Sequence, residues 1–255
     1  MATAEHPPFV QSVDRAFGIL ERMAEAGGVM GLSELAEQLD LPTPTLHRLI
    51  RTLVARGYVR QLPSRKYALG TRLIRLGEVA SQLTGNWARP LLAELVAKLG
   101  ETANMATLDG DMVAYVAQVP SPHPMRMFTE VGRRVFAHST GVGKAILASL
   151  PEAQVRTIVG RTGLPAQTGR TITDVDALLS ELSAIRERGF AVDDGEQELG
   201  VRCYAVVVPN ASVHTAISIS GPGIRVDPAL GDKAVPLLQA AAERLAAELA
   251  VPESD

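Results

Sequence analysis

The stretch Thr140-Gly141-Val142-Gly143-Lys144-Ala145 has the outline of a phosphate-binding loop, with glycines leading into a lysine. It fails that motif on two counts. The position five before Gly143 is His138 where the motif has glycine, and Ala145 stands where a magnesium-binding Ser or Thr is needed. Nucleotide hydrolysis is therefore not expected. Two readings remain open. Flexible glycines at a helix start expose the backbone N–H groups of Gly141, Val142 and Gly143, which together with the helix dipole hold a carboxylate. Alternatively, they form a turn that only lets the helix pack closely.

Cys203 is the only cysteine. It is a nucleophile if His138 or His214 serves as its base, but no third orienting group stands at a recognisable spacing. A lone cysteine in a strand is more often buried and inert. Asp193 ends a strand-like run, where aspartate is commonly a surface acid. Ser218 and Ser220 alternate with Ile217 and Ile219, so the two hydroxyls share one face of a strand. Paired hydroxyls suit carboxylate or carbonyl oxygens; serines on an exposed face give the same pattern. His6, His47, His123, His138 and His214 are scattered with no pair at ligand spacing, so no metal site is expected. No catalytic set and no cofactor motif emerges.

Charge carries a second kind of chemistry. The chain has a net charge of -3, yet residues 1–77 hold ten Lys/Arg against seven Asp/Glu. Between Asp40 and Glu78 there are eight basic residues and no acid. A basic block on an otherwise acidic chain points to a polyanion, unless it is a solvated helix face. Spacing within the block decides. Thr43 is placed to cap a helix, with Pro44 at its first position and Gly57 at its left-handed end. Leu46, Leu49, Ile50 and Leu53 fall on one face of that helix. Pro44, Arg48 and Arg51 lie opposite, flanked by Thr45, His47 and Thr52. Entry into a major groove requires such a face, because Arg bonds two guanine acceptors at once and Thr contacts base edges, thymine methyls or phosphates. Tyr58–Gln61, the Pro63-Ser64-Arg65 turn and Lys66–Leu69 then read as a hairpin whose tip, Arg65 and Lys66, touches flanking backbone or minor groove. Double-stranded DNA is the partner this implies; a protein-docking winged helix is the alternative.

These groups need elements to hold them. Val10, Val13, Phe17, Leu20 and Ala24 form the stripe of a first helix ended by Gly27-Gly28. Leu32, Leu35, Ala36 and Leu39 face inward from a second, at about 33–38. After the wing, 71–83 reads as a connecting helix and 87–99 as another. Strands are expected at 103–108, 112–118, near 125–128, and at 190–193, 203–208 and 215–220. Helices are expected at 141–150, 155–160, 175–188 and 228–249. Antiparallel strands with helices gathered around them predict an α+β chain: a winged helix-turn-helix over 9–70, a linker helix over 71–84, and a six-stranded α/β domain over 85–255. With 46% hydrophobic residues the chain supports a real core. No apolar run reaches the ~18 residues of a membrane span. Residues 1–11 lack the flank and stretch of an export signal, and one cysteine makes no internal disulfide, so a cytoplasmic protein is expected.

Gln11-Ser12-Val13-Asp14-Arg15-Ala16 and Thr45-Leu46-His47-Arg48-Leu49, with the wing, resemble the IclR family of bacterial regulators. His138–Ala145, Gly189-Phe190-Ala191-Val192-Asp193, Gly200-Val201-Arg202-Cys203 and Ile217–Pro222 agree in the family's order. The resemblance implies a GAF/PAS-like second domain that binds small organic acids and oligomerises, with the winged helices in a homodimer that often pairs into a homotetramer. It also implies an effector site of Gly141, Val142, Gly143, Asp193, Cys203, Ser218, Ile219 and Ser220, where Asp193 accepts from a ligand hydroxyl or amide and the Cys203 thiol contacts the ligand. Glu101–Ala106, Met125-Arg126-Met127 and Ser218–Ser220 look most like the branch that senses glyoxylate and allantoin-pathway intermediates of purine breakdown. The pocket candidates fit a small, oxygen-rich acid better than a hydrophobic ligand, and five Phe, four Tyr and one Trp in the chain favour a pocket not lined by aromatics. The expected mechanism is a repressor on a palindromic operator, with effector binding transmitted through the linker helix. The alternatives are a regulator answering to another small carboxylate or to an aromatic acid, and an enzyme that turns over the metabolite it binds.

Overall fold

Helix α1 (Gln11–Glu25) carries apolar residues on two sides, and the fold of its own unit uses only one of them. Ile19 and Met23 are fully buried, with Ala16 and Leu20 packed beside them. Of the stripe read from sequence, only Leu20 joins this side; Val13 is 50% and Phe17 60% exposed on the other. Both sets have helical spacing, so periodicity alone did not separate them.

The structure is a computed structural model that describes residues 10–126 and 131–249. Residues 1–9, where His6 falls and most of the segment read for an export signal, lie outside it. So do residues 127 and 128 of the strand expected near 125–128. The chain divides into two compact units, 1–80 and 81–255.

In the first unit α1 is followed by β1 (Val29–Met30), α2 (Leu32–Gln38), α3 (Thr43–Ala55), β2 (Val59–Gln61), β3 (Tyr67–Leu69) and α4 (Arg72–Thr84), which runs past the division. The strands form a three-stranded antiparallel sheet in the order β1-β3-β2; the two-residue β1 was not expected. Helices α1 and α3 end alike. Gly27 and Gly57 adopt φ of 78° and 77°. Gly28 N–H then reaches Met23 O at 2.7 Å, and Tyr58 N–H reaches Leu53 O at 2.9 Å, which satisfies carbonyls that the last turn leaves open. The start of α3 differs from expectation. Thr43 is the first helical residue, and its side chain caps nothing. The Pro42 carbonyl already accepts from Thr45 and Leu46 N–H, which moves the helix start back by one residue.

In the second unit α5 (Arg89–Leu99), β4 (Thr102–Asp109), β5 (Met112–Val119), β6 (Arg134–Val135), α6 (Gly141–Ser149), α7 (Glu152–Thr162), α8 (Val175–Arg188), β7 (Ala191–Asp194), β8 (Val201–Val208), β9 (Thr215–Pro222) and α9 (Pro228–Leu249) follow in order. Six antiparallel strands run β6-β5-β4-β9-β8-β7. The sixth strand is therefore 134–135, and residues 125 and 126 are not strand. Helices α6, α7 and α8 cover one face of the sheet through Val142, Ile146, Val155 and Leu182. Helices α5 and α9 cover the other through Leu92, Leu95, Leu238 and Leu245. No helix among the described residues is long and apolar enough to cross a membrane.

An irregularity in β5 changes which side chains reach the α6 face. The β4–β5 register passes from Met105↔Ala117 to Ala106↔Tyr115, so Val116 is an extra, bulged residue. In a regular strand Tyr115 and Gln118 would point to opposite faces. The bulge turns both toward the α6 side. Gly85 backs it: a Cβ there would lie 2.2 Å from the Val116 carbonyl oxygen.

Candidate functional site

Two sites take shape, one in each unit. In the first, Leu46, Ile50 and Leu53 are buried and anchor α3. Thr43, His47, Arg48, Arg51 and Thr52 line one open surface together with Pro44, Ala55 and Arg56. Thr45 is not among them; it is half-buried at the flank. Arg56 was not picked out from sequence, although its spacing from Thr52 places it on this face. Thr52 Oγ1 donates to the Arg48 carbonyl at 3.1 Å, leaving its lone pairs outward. The arginine-rich face of an anchored helix suits phosphates and guanine edges.

At the wing, Arg65 N–H donates to Leu62 O and Leu62 N–H to Lys66 O, closing a tight turn. Arg65 occupies the left-handed position, φ 63°, where glycine is the usual choice. Both tip cations are exposed, and Lys66 Nζ stands 3.9 Å from Glu34 Oε1. Gly70, just beyond β3, packs where a Cβ would meet the Gly57 carbonyl at 2.1 Å.

In the second unit, strand register gathers the other set. Asp193 lies opposite Cys203, and Cys203 opposite Ser220. One step along, Ser218 lies between Ala205 and Asn104, with Gln118 beyond. All of these share the face that α6 covers. Ser218, Ser220 and Asn104 are buried. The Asn104 amide donates to Ser220 Oγ at 2.9 Å and to Ser218 Oγ at 3.4 Å, and accepts from Gln118 Nε2 at 3.1 Å. Ser220 therefore keeps its own hydrogen for another acceptor, whereas the Ser218 hydroxyl also bonds the Cys203 side chain. Asn104, Gln118 and Tyr115 were missed as site residues, because only the register and the bulge place them here.

Helix α6 comes down on this row. A Cβ on Gly141 would sit 2.9 Å from Cys203 Sγ. Gly143 is glycine for a packing reason, since a Cβ would meet the Ala137 carbonyl at 2.2 Å. Its N–H is spent on the cap Thr140 Oγ1 at 3.1 Å. Of the three N–H groups anticipated, those of Gly141 and Val142 remain at the helix start, and the Val142 side chain is core. Ile219 does not join the set; it packs with α5 and α9 on the opposite face, as alternation with Ser218 and Ser220 demands.

The electrostatics are those of a closed site. Asp193 Oδ1 accepts from Glu196 N–H at 2.7 Å and Gln197 N–H at 3.4 Å. Burial, against the Glu196 N–H bond and Lys144, raises its carboxyl to about 6. Burial pushes the Cys203 thiol up to about 12, and the Asp193 charge adds to this. A neutral buried thiol is a poor nucleophile. Its two candidate bases point elsewhere: His138 Nε2 faces the Pro165 carbonyl at 3.2 Å, and His214 is exposed ahead of β9. Burial also raises Tyr115, helped by Cys203 and Asp193, so its hydroxyl remains a donor. Glu101, from the stretch noted in sequence, is buried in a two-point pair with Arg225, which also donates to the Met125 carbonyl at 2.8 Å. Of that stretch's partner segment, Met125 is 72% exposed and Met127 lies outside the described residues.

Known proteins share both units. A family model described as the IclR helix-turn-helix domain matches residues 12–63, and one described as bacterial transcriptional regulator IclR C-terminal matches 81–247. The transcriptional repressor IclR of Escherichia coli K12 is 39% identical over 233 residues, covering 89% of this chain and 85% of that protein. The HTH-type transcriptional repressor AllR of the same strain is 33% identical over 221 residues, covering 85% and 82%. The crystal structure of an IclR transcriptional regulator from Alicyclobacillus acidocaldarius superposes with a TM-score of 0.83 at 30% identity, covering 94% of this chain and 99% of that one. These relatives are regulators and not enzymes. With its arginine-faced helix in one matched domain and its polar row in the other, the chain belongs to the IclR family of bacterial transcriptional regulators, as a DNA-binding regulator that joins a helix-turn-helix domain to an effector domain.

Proposed function

We propose that this regulator represses transcription from a double-stranded operator and releases it when a small organic acid binds on the α6 face of the second-unit sheet. The observation that carries the reading is the approach of Gly141 to Cys203, which sets the α6 N-terminus over Asp193, Ser218 and Ser220. The Ser220 hydrogen and the N–H groups of Gly141 and Val142 suit a carboxylate, while an ionised Asp193 takes a ligand hydroxyl or amide hydrogen. A compact acid bearing a donor meets both needs. Hydrated glyoxylate and the ureides of allantoin breakdown are of that kind.

On the DNA side, Thr43, His47, Arg48, Arg51 and Thr52 read or hold the major groove, and Arg65 and Lys66 touch flanking phosphates. Two heads are needed for a palindromic operator. The exposed Val10, Val13 and Phe17 stripe of α1 gives a second copy an apolar surface to cover, which supports a homodimer. Pairing into a homotetramer is a further step of the same proposal. Effector binding changes operator affinity only through its differential affinity for two arrangements of the dimer.

A gel-shift screen of small carboxylates and ureides against the operator tests both halves. The Ser218→Ala/Ser220→Ala double variant is expected to keep operator binding and lose release. Normal release by that variant would remove the pocket from this face.

A further inference from the structure

Lys144 is fully buried, the only Lys or Arg in that state among the described residues. It stands in an otherwise apolar helix directly behind Gly141–Gly143. Its Nζ is bonded to Glu196 Oε1 and lies 3.9 Å from Glu181 Oε1. Glu181 has its own cation, Arg188, at 2.6 Å. The ammonium is thus left to two buried acids, Glu196 and Asp193, which are tied together by the Glu196 N–H bond to Asp193 Oδ1. Glu196 Oε2 is buried and has no hydrogen-bond partner. A buried carboxylate oxygen without a donor is costly, and a proton on it supplies the missing group. The pair also braces two parts of the site, α6 on one side and the β7–β8 loop after Asp193 on the other.

Resting on the proposed carboxylate pocket, we infer that the site takes its effector together with one proton, accepted by the Asp193–Glu196 pair, with Lys144 and Glu196 as the positioning residues. The charges settle the direction. Two ionised acids against one ammonium leave an excess negative charge before any ligand arrives, and an effector carboxylate adds another. Among the described residues the other groups facing the pair are neutral or already paired, and the cation that reaches this side, Arg133, acts on Tyr115 from an exposed position. Cys203 on β8 and Tyr115 on β5 are held protonated and neutral, Asp194 is paired with Arg170 and Arg202, and Glu181 with Arg188. His138, whose value burial lowers, is a neutral neighbour of Lys144 near pH 7. Burial already brings Asp193 to about 6 and Glu196 to about 7, so a proton is within reach near neutrality.

Calorimetric titration of the full chain with glyoxylate at pH 7, in phosphate and in Tris, measures the proton directly through the two buffers' different ionisation heats. Pyruvate and 4-hydroxybenzoate follow by the same protocol. A fractional uptake is expected at pH 7, where Glu196 is already partly protonated, rising toward one proton per site at higher pH, with affinity falling toward tenfold per pH unit there. Glu196→Gln should lower the uptake at pH 7 and move the pH profile to lower pH, because Lys144 then serves Asp193 alone. Binding with equal heats in both buffers and flat affinity from pH 6 to 8.5 would overturn the inference while leaving the pocket in place. Unchanged binding by Ser218→Ala/Ser220→Ala, or no binding by any of the three acids, overturns the pocket and the proton step with it. The wild-type buffer comparison stands even if the Glu196 variant fails to fold.

Discussion

Gly141 meets Cys203 so closely that a Cβ on residue 141 would lie 2.9 Å from the Cys203 sulfur. Helix α6 therefore reaches β8 at a point where only glycine fits beside that thiol. Gly141→Ala should cost ~1–3 kcal/mol through overpacking. Adding Cys203→Ala removes the obstructing atom, so the double variant should melt well above the sum of the single losses, with a coupling of about 1 kcal/mol or more. Strictly additive melting temperatures would show that the contact does not limit the helix.

A second expectation concerns pH. Asp193 and Glu196 hold their protons more tightly folded than unfolded, so the stability they contribute is full below the ordinary carboxylate range and is lost as pH rises through about 6 and about 7. His138 runs the other way: burial depresses it, and its contribution is lost as pH falls below its ordinary 6.5. Between pH 6.5 and 8 the acids dominate, and the melting temperature of the wild type should fall across that window. Glu196→Gln should flatten the slope. A variant slope as steep as the wild type's would mean that Glu196 titrates elsewhere.

How far these groups could be read from sequence depended on whether their signal was local. Arg48, Arg51 and the leucines behind them were legible because a helix repeats every 3.6 residues and Gly57 marks its end. Helix α1 shows the limit: Ile19/Met23 and Val13/Phe17 are equally periodic, and only the packing partner tells which is core. Ser218 and Ser220 were legible as one strand face, and that same alternation removes Ile219. Asn104 and Gln118 depend on register and Tyr115 on a bulge at Val116, none of which has a sequence signature. Lys144 did leave a trace, a single charge inside an apolar helix, but its partner Glu196 lies 52 residues away.

On the DNA face the structure separates residues that spacing had grouped. Arg48 projects from the open surface of α3, and Thr45 is half-buried at its edge. Arg48→Ala should weaken specific operator binding by about 1–3 kcal/mol if it reads a base. Thr45→Ala should leave the operator Kd within a few-fold of wild type. A loss at Thr45 as large as that at Arg48, in the same gel-shift titration, would return Thr45 to the reading face.

Arg65 offers the sharpest separation of stability from function. Its φ of 63° places an L side chain where glycine is preferred, at a cost of ~1–2 kcal/mol. Glycine removes that strain and gives back ~0.4–1 kcal/mol through the greater freedom of the unfolded chain. Arg65→Gly should therefore leave the first unit as stable as before or slightly more so. The same change deletes an exposed cation at the wing tip. If that cation neutralises a phosphate, operator affinity falls and the slope of log K against log salt drops by about 0.9 in magnitude. Arg65→Lys keeps both charge and strain and should stay near wild type. An unchanged salt slope for Arg65→Gly would take the wing off the DNA, and a collapse in stability would show that Arg65 holds the turn by contacts other than its charge.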